Sequence, residues 1–143
     1  VESLVVYTDD AQPSGNAVLA DTLARLGYVL GRSDWLELAE GVFKAAAGSV
    51  DRAATAHPRL LSAIRRFHQP ATVVVLKSRD LPAWQSAIDR LRGRGVVVLP
   101  TTSETLFADK PMPETGPGLA YVCRGLTCLP PVDDPERLVA RFA

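Results

Sequence analysis

Six residues near the C-terminal end, Cys123-Arg124-Gly125-Leu126-Thr127-Cys128, hold both cysteines of the chain and form its most specific chemical feature. Fully extended, five residue steps separate the two Cα atoms by about 17 Å, whereas a disulfide needs less than about 7 Å. Gly125 can take the positive φ that turns the chain back, so a bridge is feasible. Three readings stay open: a reversible thiol pair, two small buried apolar side chains, or part of a metal site. Arg124 favours a thiolate if it points at either sulfur. Zinc asks for about four ligands. The imidazoles, His57 and His68, have no ligand spacing with each other or with the cysteines, so both are placed at solvated helix surfaces or ends. No metal and no cofactor is expected.

A second group, Asp9, Asp10, Gln12, Pro13, Ser14 and Asn16, crowds the start of the first helix. Free amides at a helix N-terminus suit a hydroxylated or anionic ligand, and Asp9, Pro13, Ser14 and Asn16 are the candidate cleft residues for a small polar or sugar-like molecule. Capping alone also accounts for Asp, Ser and Asn at such a position. The ends of two expected strands, Lys77-Ser78-Arg79-Asp80 and Pro100-Thr101-Thr102-Ser103, should lie side by side, where open α/β sheets bind ligands. The glycine pattern of a dinucleotide or phosphate loop is missing there, and solvated loops are expected. No nucleophile motif of the form Gly-x-Ser-x-Gly is present, so no catalytic residue is assigned.

The elements that must carry these groups change character near residue 70. Leu19, Leu23, Leu26 and Leu30 recur at helical spacing between Ser14 and Gly31, with Asp21 and Arg25 off the stripe. Asp34 and Glu37 have the form of a capping box ahead of Trp35, Leu38, Val42 and Ala46. The short connection predicts an antiparallel hairpin in which Leu19, Leu23 and Leu26 face Leu38, Val42 and Phe43. A third helix follows Pro58, with Leu60, Ile64 and Phe67 on one face.

From Ala71 the period shifts. The runs 71–77 and 96–99 read as strands buried on both faces, joined by a helix bearing Trp84, Ile88 and Leu91, which makes them parallel. A proline-rich stretch to Pro117 reads as loop. Leu119 to Cys123 gives a third strand, and Asp134-Pro135-Glu136 opens a last helix. The expected fold is α/β: a helical hairpin plus a third helix over 1–69, then a small three-stranded, mostly parallel sheet unit with a C-terminal helix over 70–143. Such apolar stripes and so thin a sheet are expected to rest on each other or on further chain.

Composition narrows the function classes. Sixteen basic and sixteen acidic residues cancel, and they divide evenly about residue 70, which leaves no electrostatic footprint for nucleic acid or an anionic membrane. No apolar run approaches the roughly 20 residues that span a bilayer, and the first ten residues lack the pattern of a secretion signal. Two cysteines in 143 residues fit a reducing compartment, so a cytoplasmic location is expected.

Asp9-Asp10-Ala11-Gln12-Pro13-Ser14-Gly15-Asn16, the helical hairpin, and Ala120-Tyr121-Val122-Cys123-Arg124-Gly125-Leu126-Thr127-Cys128-Leu129-Pro130-Pro131 with Asp134-Pro135-Glu136 together resemble the C-terminal end of a family. That family is the spermatogenesis-associated, thioredoxin-domain-containing proteins. The resemblance implies a larger protein in which a thioredoxin-like domain precedes an α/α toroid similar to sugar epimerases and six-hairpin glycosidases. It implies that 1–69 complete the toroid, that 70–143 form an appended unit, and that the upstream domains of the same polypeptide are the partner. The leading expectation is therefore a C-terminal structural and binding portion without a complete catalytic set. The alternatives are a thiol-disulfide module using Cys123 and Cys128, and part of a carbohydrate-active α/α-barrel cleft.

Overall fold

The computed structural model describes residues 6–143, and the chain divides between Pro70 and Ala71 into two compact units. The first is helical: α1 (Gly15–Leu30), α2 (Ser33–Arg52) and α3 (Pro58–His68). Ser14 caps α1 through its hydroxyl, which accepts from the Ala17 amide, and Gly31 ends it in the left-handed conformation that favours glycine. Helix α2 starts one residue before the expected capping box. Its N-cap is Arg32, which makes no side-chain cap, and Asp34 instead lies in the first turn, bonded to the Arg32 guanidinium. The helix then runs past Gly48 to Arg52.

The buried seam of this unit is not the leucine stripe. Ala17, Ala20, Ala24 and Gly27 line the inner face of α1, and Leu36, Ala39, Phe43 and Ala46 line that of α2. Small side chains let the two helices approach closely. A Cβ placed on Gly27 would lie 2.7 Å from Leu36 Cδ2, inside any real contact. Leu19, Leu26 and Leu30 therefore point outward, as do Val18 on α1 and Leu38 on α2, while Leu23 and Val42 are partly buried against the seam. Asp21, read as lying off the stripe, is on the buried side at 1% exposure. Helix α3 closes the unit with Leu60 and Ala63. Phe67 packs edge-on to Phe43 at 5.4 Å between ring centres and also touches Tyr28.

The second unit is an α/β layer with strands β1 (Thr72–Lys77), β2 (Val97–Thr101), β3 (Leu119–Arg124) and β4 (Thr127–Cys128), and helices α4 (Gln85–Arg92) and α5 (Pro135–Ala140). A short 3-10 turn, Leu81–Trp84, leads into α4. The strand order is β2-β1-β3-β4. Strands β1 and β2 are parallel, as the intervening helix requires, but β3 runs antiparallel to β1 and β4 antiparallel to β3. Among the described residues the sheet thus has four strands rather than three, with one parallel pairing. The fourth strand is two residues long, too short to leave a periodic signal. After it the chain returns to β3, where Ala120 and Val132 exchange backbone hydrogen bonds.

The core of this unit uses large side chains: Trp84, Leu76, Ile88, Leu91, Val122 and Leu138 are buried together. Val73 and Val75, on the other face of β1, are buried as well, which explains its unbroken apolar run. Asp134 caps α5, accepting from the Arg137 amide at 2.8 Å.

Candidate functional site

Strands β3 and β4 form a hairpin with Gly125 and Leu126 as its two-residue turn. Gly125 has φ of 62° and Leu126 has none in the positive range, the pattern of a type II′ turn, in which glycine at the first position is required. Arg124 pairs with Thr127 beside the turn, and Cys123 with Cys128 one step further. The next step is a hydrogen-bonded pair, since the Leu129 amide donates to the Val122 carbonyl at 2.9 Å. Cys123 and Cys128 therefore occupy a non-hydrogen-bonded position, where the strands come closest. Their Cα atoms are 3.9 Å apart, and the two sulfurs are joined in a disulfide.

The two ends of this bond differ. Cys123 is 6% exposed on a strand that is hydrogen-bonded on both sides, whereas Cys128 is exposed on the two-residue edge strand. Leu126 and Leu129, each 54% exposed, stand on either side of Cys128 along the chain. Successive residues of a strand point to opposite faces, so Arg124 lies on the face away from the cystine and does not lend its charge to either sulfur.

Asp9, Ser14 and Asn16 are brought together, and backbone groups take up their polar atoms. One carboxylate oxygen of Asp9 accepts from the Ser14 amide and the other from the Arg59 amide, both at 2.7 Å, so Asp9 ties the start of α1 to the start of α3. The Ser14 hydroxyl donates to the Val6 carbonyl at 2.9 Å, and the Asn16 amide donates to the same oxygen at 2.8 Å. Pro13 and Asp10 are exposed.

Four polar residues expected off the apolar stripe or in solvent are buried: Asp21, His57, Lys77 and Ser78. Asp21 accepts from Arg59 at 2.6 Å and from Arg66 at 2.8 Å. Burial pushes its carboxyl up, but the hydrogen bonds and charges of Arg66 and Arg59 together outweigh burial and hold it below its ordinary value. The signal was available: Asp21 shares a helical face with Ala17, Ala20 and Ala24. His57 is fully buried rather than solvated, with Nε2 3.0 Å from Ser49 Oγ and Nδ1 2.8 Å from the Ala53 carbonyl. His68 is exposed at the end of α3.

Lys77 is fully buried at the end of β1. Its ammonium donates to the carbonyls of Ser103 at 2.9 Å, of Glu104 at 3.3 Å, and of Leu106. Ser78, equally buried, donates to the Pro117 carbonyl, which also accepts from Trp84 Nε1 at 2.9 Å. Tyr121 donates its hydroxyl to the Pro111 carbonyl at 2.9 Å; burial, aided by the Asp109 charge, pushes that phenol up. The strand ends do lie side by side, the Ser78 amide donating to the Thr101 carbonyl. Lys77 and Ser78 are covered by the proline-rich segment 102–118, whereas Arg79, Asp80 and Thr102 are exposed. Side chains of β1, β3 and the helix entry supply the hydrogen bonds that a segment without regular structure cannot make for itself. Gly118 sits in this closure at φ of 149°, where a Cβ would meet the Lys77 carbonyl at 2.8 Å.

Among the described residues, no group of three or more His, Cys, Asp or Glu side chains is placed to hold a metal ion. No helix among them is long and apolar enough to cross a membrane. The chain is similar to the uncharacterized protein B0495.5 of Caenorhabditis elegans, with 27% identity over 94% of this chain and 20% of that protein. The chain thus spans about a fifth of the length of the curated relative it matches. No family model matches it, and no solved structure does.

Proposed function

We propose that the chain is the C-terminal structural and binding portion of a longer, thioredoxin-domain-containing polypeptide in the cytoplasm, with no complete catalytic set of its own. Its helical unit is the closing part of an α/α toroid, and its partner is the upstream part of the same polypeptide. The observation that carries this reading is the outer face of α1. Leu19, Leu26 and Leu30 fall within one narrow stripe at spacings of seven and four, and they are 52%, 41% and 39% exposed. An isolated helical unit has no use for three aligned leucines facing water while alanines fill its seam. In a toroid of paired helices that outer face lies against the neighbouring pair. The fivefold greater length of the matching nematode protein agrees with such an arrangement.

The test is the native gene product, captured from its source cells with an antibody to this chain and measured intact, with its tryptic peptides mapped. The expected result is a mass several times the 15.4 kDa of this chain and peptides from a thioredoxin-like domain. A product near 15.4 kDa would overturn the proposal.

A further inference from the structure

The hairpin cystine has no part in the leucine-face reading and supports a separate proposal. We propose that Cys123–Cys128 is a directional thiol-disulfide exchange site, reduced by a protein dithiol that enters at Cys128 and releases Cys123. Three observations lead there. The bond joins an exposed cysteine to one that is 6% exposed, so a thiolate from outside reaches one sulfur and not the other. The bridge closes a loop that the type II′ turn and the Val122–Leu129 hydrogen bond already close, and it therefore adds little of the chain constraint by which structural disulfides stabilise. The strand that Cys128 belongs to is two residues at the sheet edge, while Cys123 lies in β3, paired along its length with β1. Opening the bond thus leaves the sheet in place. Leu126, 54% exposed in the turn two residues before Cys128, adds apolar surface on the chain leading to the exposed cysteine, which suits a protein surface better than a small hydrophilic thiol.

The first thiolate of the dithiol attacks the Cys128 sulfur, a mixed disulfide forms, and the Cys123–Cys128 bond breaks with its electron pair leaving on Cys123 as thiolate. The second thiolate of the dithiol then attacks its own partner sulfur in the mixed disulfide, closing a disulfide in the reductant and releasing Cys128 as thiolate. Two electrons pass from the dithiol to the hairpin, and each hairpin thiolate takes a proton according to the ambient pH.

The experiment uses the oxidised chain and reduced thioredoxin, together with a thioredoxin lacking its resolving cysteine as a trap. The proposal expects full reduction within minutes at neutral pH and a trapped mixed disulfide that peptide mapping places on Cys128. Reduction should leave hydrogen exchange at the amides of β1 unchanged. In single variants, the free thiol of Cys123→Ser should react with a maleimide at least tenfold faster than that of Cys128→Ser. A bond that survives excess thioredoxin for an hour, a trap on Cys123, or equal maleimide rates would overturn the proposal. The double variant Cys123→Ala/Cys128→Ala separates a switch from a staple: it should keep the far-ultraviolet dichroism and cooperative unfolding of the parent, and loss of the fold would contradict the inference.

Discussion

The two units of the chain solve the same problem in opposite ways. The sheet unit puts its largest apolar side chains inside, with Trp84, Leu91 and Leu138 at 0–1% exposure. The helical unit fills its α1 seam with alanine and glycine and turns leucines 19, 26 and 30 outward. Their buried charges differ likewise. Asp21 meets two arginines, whereas Lys77 meets no carboxylate among the described residues and is satisfied by loop carbonyls. The sheet unit carries its own core and uses its buried cation to hold a loop. The helical unit gains close approach of its helices at the expense of buried area, and it leaves apolar surface exposed on α1.

Substitutions break this comparison in a definite order. Trp84→Ala removes the largest buried side chain and an indole donor to Pro117, and should destabilise the chain by about 3–5 kcal/mol in urea unfolding. Lys77→Met leaves the Ser103, Glu104 and Leu106 carbonyls without their donor. It should cost about 3 kcal/mol and open the 102–118 segment to limited proteolysis. Asp21→Asn strips two guanidinium groups of their shared carboxylate, and because both arginines are partly exposed the expected loss is smaller, about 2 kcal/mol. At the bottom of the series, Leu26→Ala should change stability by less than about 0.5 kcal/mol in the chain alone, since the side chain is in water already.

The same carboxylate gives the helical unit a pH dependence. Asp21 has a folded value below the ordinary 3.8, so its contribution is complete above about pH 5 and is lost as the pH falls through 3.8 toward the lower folded value. A urea series from pH 6 to pH 3 should show this loss in the parent and not in Asp21→Asn. An unchanged slope in the variant would assign the effect to other carboxylates.

The sheet unit was the more legible of the two in the sequence. Its runs of valine exclude a solvated face, and their spacing around one helix fixes β1 and β2 as parallel. The direction of β3 was not legible, because the segment 102–118 carries no period that says whether the chain crosses over or turns back. In the helical unit the elements were plain, but the buried face of α1 was misjudged. Leucine outweighs alanine in any reading by hydrophobicity, and the seam is set instead by which residues allow the helices to come close. The spacing of the cysteines allowed a turn without requiring one; Gly125 and the two-residue loop decide that the sulfurs meet. The Asp9 cluster was visible by residue type, and its hydrogen bonds go to the backbone of both α1 and α3, a link between helices that no local pattern contains.

The outward leucines test the account most directly. Carbene footprinting of the native gene product beside the isolated chain reads their exposure residue by residue. The account predicts that Leu19, Leu26 and Leu30 are labelled in the isolated chain and protected at least fivefold in the native product, with Leu129 labelled in both. Equal labelling of the three leucines in both samples would contradict it.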